Sequence, residues 1–161
     1  MAIHALGIDI GGTKIAAALV APNGTMRALH RVSTPVRAGP AAILQAALAV
    51  DREVLASAGG GQVVAVGVGS AGQVDHERGV ITYATDTLPG WAGTDLAGAF
   101  WDAFELPVAV DNDVNAMALG EHQFGAGHGF GHALYLTVGT GVGGALVQDG
   151  KVWRGTTWTA G

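Results

Sequence analysis

Apolar and polar positions alternate in blocks along the chain, and the period of the pattern changes from block to block. Ile3–Ile10 and Ile15–Val20 are short apolar runs that read as buried strands, the first interrupted by Asp9. Thr25–Ser33 reads as a third strand, entered through the turn Pro22-Asn23-Gly24. Pro40–Ala58 then switches to helical spacing, with Ile43, Leu44, Ala47, Leu48, Val54 and Leu55 as its apolar positions and three glycines, 59–61, as its stop. Val63–Val68 predicts a strand, and Val74–Tyr83 a small hairpin through "DHERG". Asp95–Phe104 predicts a helix capped by Thr94 and closed before Pro107. Val108–Val110 then reads as a strand, Val114–Gln123 as a helix and Ala133–Val138 as a strand. Strands alternating with helices predict an α/β fold.

One supersecondary unit occurs twice. "GIDIGGTKIAAALVAPNG" (Gly7–Gly24) and "LYLTVGTGVGGALVQDG" (Leu134–Gly150) share an apolar strand, a glycine turn with a threonine, a second strand through "ALV" and a closing turn. The second copy also satisfies G-x-G-x-x-G through Gly139, Gly141 and Gly144. A dinucleotide site needs a helix after that turn and an acidic residue about 20 positions on. A strand follows here instead, so the Rossmann reading is rejected.

Composition narrows the class. The chain has 161 residues, 49% hydrophobic and 13% charged, which suits one globular domain. A formal charge of −5 offers no electrostatic footprint for nucleic acid or an anionic membrane surface, so neither is an expected partner. The expected location is the cytoplasm, because no long apolar span or signal-peptide pattern occurs. There is no cysteine, which rules out disulfides and thiolate metal sites. His128 and His132 lie close together in "GHGFGH", but that stretch is too rich in glycine for a ligand-bearing helix.

Two stretches carry candidate chemistry. "DIGGTK" places Asp9 inside an apolar strand, and sets Thr13 and Lys14 directly after Gly11 and Gly12, where a hydroxyl, an ammonium and backbone N–H groups can converge on an anion. It is not a Walker loop. The residues leave two roles open, a plain Gly-Gly hairpin with positive φ at its glycines or a phosphate cradle. "DNDVN" brings Asp111, Asn112 and Asp113 to a strand-to-helix junction at the strand's carboxyl end, where open α/β sheets place their sites. A carboxylate there can accept a proton from an attacking hydroxyl, and an amide can both donate to and accept from sugar hydroxyls. By itself, Asp113 suits a helix cap better than a base.

The motifs "DIGGTK", "GVGSAGQVD" (Gly67–Asp75), "LPGW" (Leu88–Trp91), "DNDVNAMALGE" (Asp111–Glu121) and "TVGTGVGGALVQDG" (Thr137–Gly150) follow one another in an order that resembles the N-terminal half of ROK-family sugar kinases. The resemblance implies a ribonuclease-H-like lobe of the actin and hexokinase superfamily with a mixed sheet over residues 1–124. Residues 125–161 are then the opening strands of a second, incomplete lobe. It implies an ATP-dependent kinase acting on a hexose such as glucose or an N-acyl hexosamine, with ATP and Mg as cofactors. Asp113 is the implied catalytic base. Asp9, Gly11, Gly12, Thr13, Lys14, Gly139, Thr140, Gly141 and Gly143 are the implied phosphate-binding residues, with Asp9 also holding Mg through water. Ser70, Ala71, Gly72, Asp86, Asn112 and Asp113 are the implied sugar contacts. Ser70-Ala71-Gly72 equally suits a plain turn, and Trp91 suits packing. Asp86 stands where many relatives carry asparagine, and Trp158 where the family generally carries glycine.

The family usually continues past "AG" into Glu-x-Gly-His and a cysteine-rich zinc motif. The chain ends at Ala160-Gly161, so no zinc site is expected in it, and the adenine pocket is expected in the other lobe. No helix-turn-helix stands before Met1, so the repressor branch is not expected. A homo-oligomer is expected, and the chain alone is expected to be inactive. A non-catalytic sugar- or nucleotide-binding module is the alternative.

Overall fold

The computed structural model describes residues 2–57, 61–139 and 141–160. Residues 59 and 60 of the glycine stop, and Thr140 of the second glycine turn, lie outside the described residues. The elements are β1 (Ile3–Ile10), β2 (Lys14–Val20), β3 (Met26–Ser33), α1 (Pro40–Ala56), β4 (Gln62–Ser70), β5 (Gln73–Asp75), β6 (Val80–Tyr83), α2 (Leu96–Phe104), β7 (Val108–Asn112), α3 (Asp113–Phe124), β8 (His132–Val138), β9 (Val142–Gln148) and β10 (Lys151–Trp153).

The main sheet is mixed, in the order β3-β2-β1-β4-β7. β2 runs antiparallel to both β1 and β3, whereas β4 is parallel to β1 and β7 is parallel to β4. The carboxyl ends of three parallel strands therefore share one edge, with Ile10, Ser70 and Asn112 in one register row and Asp9, Gly69 and Asp111 in the row before it. Cross-strand partners face the same side of a sheet. One face carries Leu6, Ile8, Ile10, Ile15, Ala17, Leu19, Val66, Val68 and Val110, and it packs under Ile43, Ala47, Val50 and Val54 of α1 and Leu96 and Phe100 of α2. The opposite face is floored by small residues, so α3 comes close to it: a Cβ at Gly69 would stand 3.3 Å from Ala116 Cβ.

Local chemistry sets the element ends. Pro40 occupies the first turn of α1, where its missing N–H costs nothing. The cap of α2 is Asp95, whose carboxylate accepts from the Gly98 N–H at 2.9 Å. Thr94 is not the cap; its hydroxyl is spent on the Trp91 carbonyl at 2.7 Å. α2 closes on Glu105 in the left-handed region, two residues before Pro107. Strands β4 and β7 run two residues further than their apolar runs, because Gly69-Ser70 and Asp111-Asn112 extend the parallel ladder up to the site.

The second hairpin and β10 form a separate three-stranded antiparallel sheet, β10-β9-β8. Its inner face packs against α3, with Ala145 and Val147 fully buried. α3 is thus shared between the two sheets. Its first turn is wedged between two glycines, Ala116 against Gly69 and Val114 against Gly143, where a Cβ would stand 2.7 Å from Val114 Cγ2.

Candidate functional site

The first glycine turn is closed by the Gly11 N–H donating to the Lys14 carbonyl at 3.0 Å, and it is tied to the end of β3 by the Thr34 hydroxyl on the Gly11 carbonyl at 2.6 Å. Neither Gly11 nor Gly12 has positive φ, so the conformational argument for these glycines is corrected. Gly12 is needed for space: a Cβ there would collide with the side chain of Thr87. The loop carrying Asp86 therefore lies against the first turn. Asp86, Thr13 and Lys14 are all exposed there. In the second turn, Gly139 donates to the Gly141 carbonyl at 2.9 Å, and a Cβ at either would meet nothing within 4 Å.

The junction of β7 and α3 is held by a dense set of side-chain hydrogen bonds. Asn112 is the cap of α3, its side-chain oxygen accepting from the N–H groups of Val114 at 2.9 Å and Asn115 at 3.2 Å. Its amide donates to the Gly72 carbonyl at 2.9 Å, which fastens the loop after β4 to the start of α3. Asp113 accepts from the Val114 N–H at 2.9 Å, and its carboxylate is left at the rim of a cleft of about 350 Å³ lined by Ile8, Asp9, Gly69, Asp113, Met117 and Thr137. The helix-cap role that suited Asp113 in the sequence thus falls chiefly to its neighbour.

Asp9 stands open to solvent at the mouth of that cleft. The cleft walls strip enough water from its carboxyl to raise its pKa above the usual value, the negative charge of Asp113 raises it further, and Lys14 draws it back. A carboxylate whose proton affinity is raised by burial and by a second carboxylate beside it suits a hard divalent cation with oxygen ligands. Among the described residues, no group of three or more His, Cys, Asp or Glu side chains converges as a metal cage, so water and substrate oxygens would have to complete any shell.

A neighbouring pocket of about 120 Å³ is lined by Gly72, Gln73, Asn112, Asn115, Gly143 and Trp158, among others. Gly72 needs its φ of +106° and its missing side chain, because a Cβ would stand 2.6 Å from the Tyr83 carbonyl. Ser70 is fully buried. Its hydroxyl donates to the Ala71 carbonyl and accepts from the indole N–H of Trp91 at 3.0 Å, so it holds the loop from below rather than lining this pocket. Trp91 is fully buried, as packing requires. A roomier cleft, about 500 Å³, lies on the open face of the main sheet over Gly7, Ala16, Ala18, Gly67 and Ala109. It reaches Asp9, Asp111 and Arg154 at one end but neither Asn112 nor Asp113, and its apolar floor offers little to a sugar or a phosphate.

Two contributors were not picked out in the sequence. Asn115 is buried and donates from the first turn of α3 back to Asp111 at the end of β7 at 3.0 Å. Arg154 reaches Asp111 from 43 residues away, which no local pattern announces.

Comparison with known proteins places the chain among sugar kinases by sequence and by fold. Glucokinase of Streptomyces coelicolor is 39% identical over 150 residues, covering 93% of this chain and 45% of that protein. Fructokinase of Zymomonas mobilis is 35% identical over 151 residues, covering 92% of this chain and 49% of that protein. The crystal structure of a ROK family glucokinase from Streptomyces griseus, in complex with glucose and AMPPNP, superposes with a TM-score of 0.87 at 37% identity, over 98% of this chain and 48% of that one. The chain thus spans about half the length of the relatives it matches. Residues 5–161 match the ROK family as a whole, and the chain belongs to that family.

Proposed function

We propose that this chain supplies the sugar site, the base and part of the phosphate site of an ATP-dependent hexose kinase. The observation that carries the reading is the convergence of Asp9 and Asp113 on one cleft, at the carboxyl ends of parallel strands, in a ROK-family chain. The hexose occupies the pocket beside Gly72, Asn112 and Asn115, with one hydroxyl toward Asp113. As that oxygen attacks the γ-phosphorus of ATP, its proton passes to the Asp113 carboxylate and ADP departs. Lys14, Thr13 and the backbone around Gly11, Gly12, Gly139, Gly141 and Gly143 face the phosphates from the two hairpins. Mg, held through water by Asp9, neutralises phosphate charge when bound. The loop that carries Asp86 meets the same turn through Thr87, which fills the space at Gly12. The domain boundary falls near residue 124, where α3 ends ahead of the second sheet, which starts at His132.

A chimera tests this. The chain would replace the matching portion of the S. coelicolor glucokinase, and ADP release would be followed with glucose, fructose, mannose and N-acetylmannosamine. Sugar-dependent turnover with at least one hexose is expected. Asp113→Asn should lower it by on the order of 10²-fold or more while sugar affinity changes little. Near-normal turnover in that variant would return Asp113 to a purely structural role.

A further inference from the structure

Among the described residues, one ion pair has both side chains largely withdrawn from water. Arg154 and Asp111 are 22% and 13% exposed, whereas the histidine pairs at Glu53 and Asp149 lie in the open. Arg154 donates to Asp111 Oδ2 through Nε at 2.9 Å and Nη2 at 2.6 Å, and its Nη1 donates to the Val152 carbonyl at 3.3 Å. The other oxygen of Asp111 accepts from the Asn112 N–H at 2.8 Å and from the Asn115 amide at 3.0 Å. Both carboxylate oxygens are thereby used, one by the second sheet and one by the residues that begin α3.

This arrangement differs from a surface salt bridge in what it connects. Arg154 follows directly on β10, and Asp111 sits one residue before the cap of α3 and two before Asp113. The guanidinium is planar and donates as a fork, so it sets an angle as well as a distance. Asp111 cannot swing to accommodate a shift, because it lies in register with Gly69 in the parallel ladder. The only other polar side-chain link between α3 and the second sheet among the described residues joins His122, near the last turn of α3, to the Tyr135 hydroxyl of β8 at 2.9 Å. Beside the Asn112–Asp113 turn the contact is apolar, Val114 against Gly143, which resists approach but resists sliding weakly.

We propose that Arg154 is a positioning residue: by clamping Asp111 it holds the second sheet, with its glycine turn, at a set angle to the Asn112–Asp113 turn. A sugar held by Asn112 and a phosphate held near Gly139–Gly143 are then presented in line at Asp113. The catalytic part of this statement rests on the kinase reading, whereas the clamp itself does not.

Two measurements separate them. In the 161-residue chain, amide exchange at Val114 and Asn115, the two N–H groups capped by Asn112, reports the clamp without any substrate. Arg154→Gln should accelerate both on the order of tenfold relative to the interior of β1, with Arg154→Lys in between, because lysine keeps the charge but not the fork. Unchanged exchange at these two amides overturns the clamp whatever the enzyme does. In the chimera, Arg154→Gln should raise the sugar KM severalfold and lower kcat by about tenfold, with partial rescue by lysine. An arginine that merely stabilised the fold would reduce the active fraction and leave the sugar KM in place, and that result overturns positioning. A chimera with no turnover before any substitution counts against the kinase reading alone, since the exchange measurement decides the clamp.

Discussion

Asp51 is the residue whose chemistry fits its surroundings least. It lies in α1 with no exposed surface, neither carboxylate oxygen has a partner, and burial pushes its pKa from 3.8 up to about 8, against a weaker downward pull from Arg52. Between those two values the folded chain keeps a proton that the unfolded chain gives up. Its contribution to stability is therefore full below about pH 4, declines as pH rises, and is lost above the folded value near 8. Asp51→Asn removes the titration. The stability difference between variant and parent, from denaturant unfolding at pH 5 and pH 8, should favour the variant at the higher pH by on the order of a few kcal/mol. An equal difference at both pH values would show that Asp51 does not titrate with unfolding.

At the scale of elements, the glycines of the second turn do different work from what their motif suggests. Gly143 belongs to the stretch that resembles a phosphate loop, yet its missing side chain is needed by Val114, so it sets how closely β9 approaches α3. Gly143→Ala should cost about 1–3 kcal/mol through overpacking. Combined with Val114→Ala it should cost less than the two single changes added together, because the truncated valine makes the room. Strict additivity in a double-mutant cycle would dissociate the glycine from the helix contact. Similar logic holds at Gly12, where the occupant of the space is Thr87. A motif read along the chain shows that a side chain is absent. It does not show which neighbour takes its place.

The whole molecule is uneven in how it covers its two copies of the hairpin. Matching the hairpins by register sets Leu134, Leu136, Val138, Val142 and Leu146 opposite Leu6, Ile8, Ile10, Ile15 and Leu19. The set of the first hairpin lies under α1, none more than 5% exposed. That of the second hairpin faces water, with Leu134 and Leu136 65% exposed and Val138 84%. A contiguous apolar face of this kind promotes association. The isolated chain is expected to self-associate, to bind ATP weakly and to release no sugar-dependent ADP, since one side of the cleft cannot close over a nucleotide. Replacing Leu134 and Leu136 with glutamate should shift sizing toward the monomer without restoring activity. A monomeric parent chain with robust turnover would contradict both expectations.

Much of this was legible before any coordinates. Apolar runs of three to eight residues and one long helical stretch place most of the strands and α1, because burial of a sheet face and a helix stripe imposes its period on the sequence. The order of five short motifs pointed to the family, and the acidic residues at the ends of β1 and β7 marked the candidate site. Tertiary structure decided what lies beyond the reach of local pattern. It assigned the cap of α3 to Asn112 rather than Asp113 and directed the Ser70 hydroxyl into the core. It joined Asp111 to Arg154, and it gave Gly12 and Gly143 to the side chains of Thr87 and Val114. Each of these depends on which groups, tens of residues apart or competing at one helix end, reach the same point in space. Periodicity carries the direction of a side chain from its own backbone, but the partner it meets there is set only when the sheets and helices pack.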